Sequence, residues 1–196
     1  MEIIVERGSL RVLEELLTES MGEWHSYYAV EAIRGGIAEY LLAYINGMPR
    51  GGVVYYSIPF RGGGDITIIY YVVVSPQARG HDIGRILVLS VEEVTGSKAY
   101  LATIGEGNVA SKRMFESIGY RVYTYDSVEE SHGYVVARKI ARASCGYEDS
   151  MVAVKPGETG LGLIADLDED AVERVFQAIC YRPWKKLRRR ETIRLQ

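Results

Sequence analysis

The chain has 196 residues, of which 47% are hydrophobic and 25% charged, and a formal net charge of −3. This composition suits one sizeable core plus an appendage, and it excludes collagen-like, coiled-coil and disordered chains. Residues 1–7 lack the basic region and long apolar run of a signal peptide, and the longest apolar run, residues 68–74, is far too short to span a bilayer, so a cytoplasmic protein is expected.

Residues 2–6 read as a first strand. Ser9 then suits the N-cap of a helix in which Leu13, Leu16, Leu17 and Met21 recur at helical spacing. A second helix runs through Trp24, Tyr28 and Ile33 to Gly35 and Gly36. From Ile37 the period changes to that of strands, over residues 37–45 and 52–58, joined by the hairpin dipeptide Asn46-Gly47. Residues 65–74 are almost wholly apolar and rich in β-branched side chains, as expected of a central strand buried on both faces.

A helix with Ile83, Ile86, Leu87, Ser90, Val91 and Val94 on one face follows and ends near Gly96, before a strand over residues 98–104. Residues 108–117 read as a short helix, and 120–125 and 134–139 as two further strands that complete the core. Beyond them lie a strand-like 151–154, a glycine-rich stretch through Gly157, Gly160 and Gly162, and one helix over 168–180. That helix is expected to cover the core or a second protomer. The only cysteines, Cys145 and Cys180, have neither metal-site nor redox-motif spacing, and no disulfide is assigned. Arg182, Lys185, Lys186, Arg188, Arg189, Arg190 and Arg194 make a basic tail.

The segment from Ser75 to Leu87 joins the central strand to a helix through Pro76-Gln77-Ala78-Arg79-Gly80-His81-Asp82-Ile83-Gly84-Arg85. The first N–H groups of a helix lack internal partners and carry partial positive charge, so such a turn can cradle phosphate. Arg79-Gly80-His81-Asp82-Ile83-Gly84 resembles the pyrophosphate-binding loop of the GNAT superfamily of acyl-CoA N-acyltransferases, Gln/Arg-x-x-Gly-x-Gly/Ala, with Asp82 at the central glycine position. Residues 108–120, from Asn108 through Ala110 and Phe115 to Gly119-Tyr120, resemble that family's second motif, Asn-x-x-Ala-x-x-x-Tyr/Phe-x-x-x-Gly-Phe/Tyr.

The resemblance implies a mixed α+β or α/β architecture, a central sheet of about six to seven strands with flanking helices. It would occupy residues 1–140, leaving 141–196 as a C-terminal extension with one helix and the basic tail. It also implies acetyl-CoA as co-substrate and direct transfer to an amine acceptor in a ternary complex. Val72, Val73 and Val74 would bind the pantetheine arm through their main chain, and one of their N–H groups would polarise the thioester carbonyl. Arg79, Gly80, His81, Asp82, Ile83, Gly84 and Arg85 would hold the pyrophosphate, with Asn108, Ala110 and Phe115 beside the arm.

Asp82 must then point away from the phosphates or be neutralised by Arg79 or Arg85, and its tolerance of a left-handed backbone can account for its replacing glycine. Phe115 stands where the family often has a tyrosine that protonates the leaving thiolate, so Tyr120, Tyr70 or Tyr71 must substitute if any group does. Glu39, Asp65 and Glu106 are candidate bases, each otherwise a solvated surface acid. No metal is assigned, since His25, His81 and His132 lack ligand spacing. Asp82 and Phe115 together keep open an alternative, a catalytically weak acyl-CoA-binding regulatory module. The tail leaves nucleic acid and a homodimer as further partners to test, and no membrane partner is expected.

Overall fold

Asn46 and Gly47 both adopt left-handed backbone, with φ of 49° and 77°, and fold β2 (Glu39–Ile45) back onto β3 (Met48–Pro59) as the hairpin that the dipeptide predicts. The structure, a computed structural model, describes residues 2–194. β1 (Ile3–Glu6) pairs antiparallel with β2, and β3 pairs antiparallel with β4 (Asp65–Val74). Between β1 and β2 lie α1 (Leu10–Met21) and α2 (Glu23–Arg34), which bury Leu13, Leu16, Leu17, Ala29 and Ala32.

α3 (Ile83–Thr95) crosses from β4 to β5 (Ala99–Gly105), making β4 and β5 the parallel pair of the sheet. α4 (Val109–Ser117) leads to β6 (Arg121–Thr124), then α5 (Tyr125–His132) and α6 (Tyr134–Ser144) precede β7 (Asp149–Lys155). The seven strands lie in the order β1-β2-β3-β4-β5-β7-β6. α7 (Gly157–Ala165), α8 (Glu169–Phe176), a π-helical turn (Gln177–Tyr181) and α9 (Arg182–Arg194) complete the described chain. One sheet face packs on α3 and α4 through Ile83, Leu87, Val91, Phe115 and Ile118. The other packs on α1, α2 and α5–α8.

Three expectations are corrected. Residues 134–139 are helix, because Val136, Ala137, Ile140 and Ala143 recur at the helical interval and turn one face to the core, a period that a six-residue window does not reveal. The glycine-rich stretch is also helix, and Gly160 is where α7 meets β7: a Cβ there would lie 2.5 Å from Val154 Cγ1. The core is not complete before residue 140. β7 lies between β5 and β6, so the segment 141–196 contributes an interior strand and three helices rather than one helix appended to a finished sheet. Among the described residues no helix is long and apolar enough to cross a membrane.

Candidate functional site

β4 and β5 remain paired only from Ile66↔Ala99 to Ile69↔Ala102. At that point the β3–β4 register skips a residue, with Tyr55 opposite Ile69 and Val54 opposite Tyr71, so Tyr70 is the extra residue of a bulge. A bulge bends its strand. β4 therefore swings away from β5, leaving the β5-facing edge from Tyr70 to Val74 without a strand partner. β5 has a matching irregularity on its other side, where Ile104 faces Met151 and Gly105 faces Asp149, skipping Ser150.

The bulge also changes which way side chains point. Tyr70 and Tyr71 are consecutive yet both pack against the α1/α2 face, their ring centroids 4.2 Å apart. Val72 and Val74 face the opposite cluster, with α3 and α4. A cavity of about 1070 Å³ occupies the opening between the strands and reaches both faces of the sheet. On the α4 side it is lined by Val72, Asn108, Ser111 and Phe115; on the other, by Trp24, Tyr28, Tyr71, Glu148, Phe176 and Trp184.

On the α4 side, the expected cradle has the geometry to receive an anion. Gly80 and Asp82 are left-handed, with φ of 79° and 58°, so Asp82 occupies the conformation that favours glycine. Its carboxylate does not cap α3 but turns to Arg85, 3.4 Å away. The first helical hydrogen bond is Ile86 N–H to the Asp82 carbonyl, which leaves the preceding turn's N–H groups directed off the helix end. Ser75 Oγ and Arg85 Nε are buried beside this turn without hydrogen-bond partners. Gly84 lies under Met114 of α4, whose sulfur would be 2.8 Å from a Cβ, and 3.8 Å from Val72 and Val74, so the cradle adjoins the open edge of β4. These features fit a pyrophosphate and its attached arm.

Arg79 and His81 are exposed on the same turn, His81 Nδ1 3.1 Å from the Arg79 carbonyl oxygen. Ile83 is buried and anchors α3 to the sheet, while Val73 is buried toward the α1/α2 face. Asn108 caps α4 by accepting from the Ser111 N–H at 3.1 Å. Ala110 is exposed beside it, and Phe115 is buried with its ring against Tyr120, centroids 4.9 Å apart.

The residues considered for proton transfer are spread out. Glu39 is at the start of β2 and pairs with Arg7 at 2.9 Å; Glu106 is exposed in the turn after β5; Tyr120 is buried behind Phe115, near Glu92 and Lys155. None of the three lines the cavity. Burial, reinforced by the Glu92 charge, holds the Tyr120 phenol well above its ordinary value. Tyr70 and Tyr71 do line the cavity, and burial raises both phenols; Tyr70 donates to the Ile179 carbonyl at 3.1 Å.

The cavity also contains groups that no sequence motif singles out. Glu148 and Asp149 lie at the mouth of β7; after burial, Glu148 is the next cause raising the Tyr28 phenol, and Asp149 also raises that of Tyr71. Cys145 and Cys180 form a disulfide on the cavity wall. The helical segment after Asp168 thus supplies part of the cavity wall through Phe176, Cys180 and Tyr181, beyond the covering role expected of it. Tyr28 lines the cavity, whereas Tyr56 is buried and donates to the Ala143 carbonyl. Among the described residues no group of three or more His, Cys, Asp or Glu side chains could hold a metal ion.

A family model described as the acetyltransferase (GNAT) family matches residues 10–120. The fold is similar to that of Naa50 from Arabidopsis thaliana in complex with the bisubstrate analogue CoA-Ac-MVNAL, at TM-score 0.56 and 16% identity over 79% of this chain and 99% of that one. It is similar to PaiA N-acetyltransferase from Thermoplasma acidophilum in complex with coenzyme A, at TM-score 0.55 and 15% identity over 78% and 98% of the two chains. Ribosomal-protein-alanine N-acetyltransferase from Brucella melitensis biovar Abortus 2308 matches at TM-score 0.52 and 19% identity, over 60% of this chain and 90% of its own. A search of curated protein sequences finds no match.

Proposed function

The chain belongs to the GNAT family of acetyltransferases, and we propose that it transfers an acetyl group from acetyl-CoA to a primary amine by direct attack within a ternary complex. The observation that carries this reading is the cavity through the β4/β5 opening, which joins the α3 cradle's side of the sheet to a separate chamber on the opposite face. Two substrates can enter from opposite faces and meet at Tyr70–Val72 without an enzyme-bound intermediate. Of the three structures named above, two are N-acetyltransferases, one of them bound to coenzyme A, and the third holds a CoA bisubstrate analogue, which supports the same chemistry here.

Acetyl-CoA would supply an activated acyl thioester. The α3 turn, with Arg85, would hold its pyrophosphate, and the open edge of β4 from Val72 to Val74 would orient its arm and offer a main-chain N–H to the carbonyl oxygen. Asn108, Ala110 and Phe115 would flank the arm, Phe115 shielding the thiol end from water. The reaction joins the amine nitrogen to the acetyl carbon and breaks the carbon–sulfur bond. An ammonium acceptor releases one proton to reach its neutral form and passes a second to the departing sulfur.

Phe115 supplies no proton, and Tyr120 is buried away from the cavity with its phenol held neutral. A thiol of pKa near 8.5 leaves as thiolate without an acid, so solvent suffices for that step. For the first proton, the carboxylates on the cavity wall, Glu148 and Asp149, are better placed than Glu39 or Glu106 to receive it directly or through water.

Calorimetry with acetyl-CoA, followed by a thiol-release assay across an amine panel, tests the reading. Saturable binding with turnover on at least one amine supports it, and no binding at millimolar acetyl-CoA overturns it. Binding without turnover on any amine would favour the regulatory module, for which Phe115 and Asp82 are the motivating residues.

A further inference from the structure

The chamber opposite the cradle has an unusual chemical composition for a polar substrate. A run of aromatic side chains forms part of its wall: Tyr147 meets Phe176 edge-on at 6.0 Å, Phe176 lies 6.4 Å from Tyr181, and Tyr181 stacks on Trp184 at 6.0 Å. Trp24 closes the other side and is 46% exposed, while Tyr147, Tyr181 and Trp184 are 55%, 40% and 43% exposed. These are large apolar surfaces left open to water around the mouth of a cavity, where isolated exposed rings would call for no explanation.

The chamber wall also carries carboxylates. Glu148 and Asp149 project beside Tyr28 and Tyr71, next to the β4/β5 opening, and Glu23 lies at the start of α2. The wall therefore offers Glu148 and Asp149 near the β4/β5 opening, where an attacking nitrogen must sit, together with aromatic rings. Two of these wall rings already meet cations: the Arg142 guanidinium is 4.3 Å from the Phe176 centroid, and that of Arg188, which also lines the cavity, is 5.3 Å from Trp184. A polyamine or aminosugar would have to bury several hydrated groups against these rings, at a cost that an apolar body avoids.

Resting on the acetyltransferase reading, we infer that the acceptor is a primary ammonium carried on an apolar body, its nitrogen held by Glu148 and Asp149 and its body between Tyr28, Phe176, Tyr181 and Trp184. This chemistry belongs to a small arylalkylamine and equally to a polypeptide N-terminus whose first side chain is large and apolar. Glu148 and Tyr28 both line the chamber, and burial first, then the Glu148 charge, raises the Tyr28 phenol.

The chain's only two tryptophans, Trp24 and Trp184, both line this cavity, so tryptophan fluorescence reads acceptor binding without turnover. The 196-residue chain is titrated with phenethylamine, with spermidine, and with two peptides identical except for Phe or Gly at the first position. Expected is saturable quenching by phenethylamine, by the Phe peptide or by both, at least about tenfold tighter than by spermidine or the Gly peptide, and weakened about tenfold in Glu148→Gln and in Tyr181→Ala. Preference for the Phe peptide over phenethylamine identifies a polypeptide acceptor, and the reverse a small amine.

Equal or tighter binding of spermidine or the Gly peptide, or affinities unchanged in both variants, overturns the inference. The two readings fail separately. Turnover on hydrophilic amines with no apolar preference removes this one alone, whereas selective quenching in a protein that does not bind acetyl-CoA removes the other.

Discussion

The Tyr70 hydroxyl donates a hydrogen bond to the carbonyl oxygen of Ile179 at 3.1 Å, linking the bulge that opens the sheet to the π-helical turn of the C-terminal wall across 109 residues of chain. One residue thus ties together two structures that wall the proposed acceptor chamber. Tyr70→Phe leaves a buried carbonyl unsatisfied, which costs about 1–3 kcal/mol. We expect a lower unfolding midpoint in thermal denaturation and a raised KM for the amine, with the acetyl-CoA Kd from calorimetry unchanged. A rise in the acetyl-CoA Kd of the same size as that in KM would contradict the link.

Asp82 holds a left-handed backbone with its carboxylate turned to Arg85 and largely exposed. Asp82→Gly removes a negative charge from the cradle at no conformational cost in the folded state. In water a charge pair about 4 Å apart is worth roughly 1 kcal/mol, so the acetyl-CoA Kd should fall severalfold, more at low salt than at high. Asp82→Ala keeps the charge change but strains a left-handed site, and should cost about 1 kcal/mol or more of stability. Calorimetry at two ionic strengths and urea denaturation measure the two effects.

Cys145 and Cys180 close a loop with a sequence separation of 35. In the chain-entropy picture, a crosslink of that length restricts the unfolded chain enough to stabilise the fold by about 4 kcal/mol. Incubation with a dithiol reductant, or the double variant Cys145→Ser/Cys180→Ser, should therefore lower the unfolding midpoint. Because both cysteines line the chamber and neither contacts the α3 turn, amine KM should rise while acetyl-CoA affinity holds; a midpoint unaffected by reduction would contradict the crosslink's contribution.

Burial is the first cause raising the phenols of Tyr56, Tyr70, Tyr71 and Tyr120, and neighbouring phenol or carboxylate charge adds to it. An acid whose folded pKa exceeds its unfolded value near 10 stabilises the native state fully below that value and loses its contribution as pH rises through and beyond it. Stability should therefore be insensitive to these groups at neutral pH and fall above about pH 10. Ultraviolet absorbance should show these four phenols ionising only as circular dichroism records unfolding. Ionisation of all the tyrosines with native dichroism retained would refute the burial argument.

Much of the cofactor side was legible from local pattern. Helix starts, left-handed turns and N-caps are decided by a few adjacent residues, so Asn46-Gly47, the α3 turn at Gly80–Gly84 and the Asn108 cap could be read directly, including Asp82 in its left-handed role. The segment 134–139 is helix although its sequence suits a strand, because a short apolar run satisfies more than one periodicity and only the faces offered by neighbouring helices select between them. Gly160 belongs to a helix because β7 packs against it, a contact to which sequence spacing is blind.

The chamber proposed for the acceptor depended on tertiary structure throughout. Tyr70 and Tyr71 share a face only because β4 is bulged against β3, and Glu148 and Asp149 reach the cavity only because β7 inserts between β5 and β6. Phe176, Tyr181 and Trp184 join them from a helical segment held by the disulfide and the Tyr70 bond. Phosphate recognition draws on main-chain groups that one turn of chain can present, so its residues are neighbours in sequence. An amine chamber is a cavity, whose walls come from whichever distant elements the packed sheet brings together.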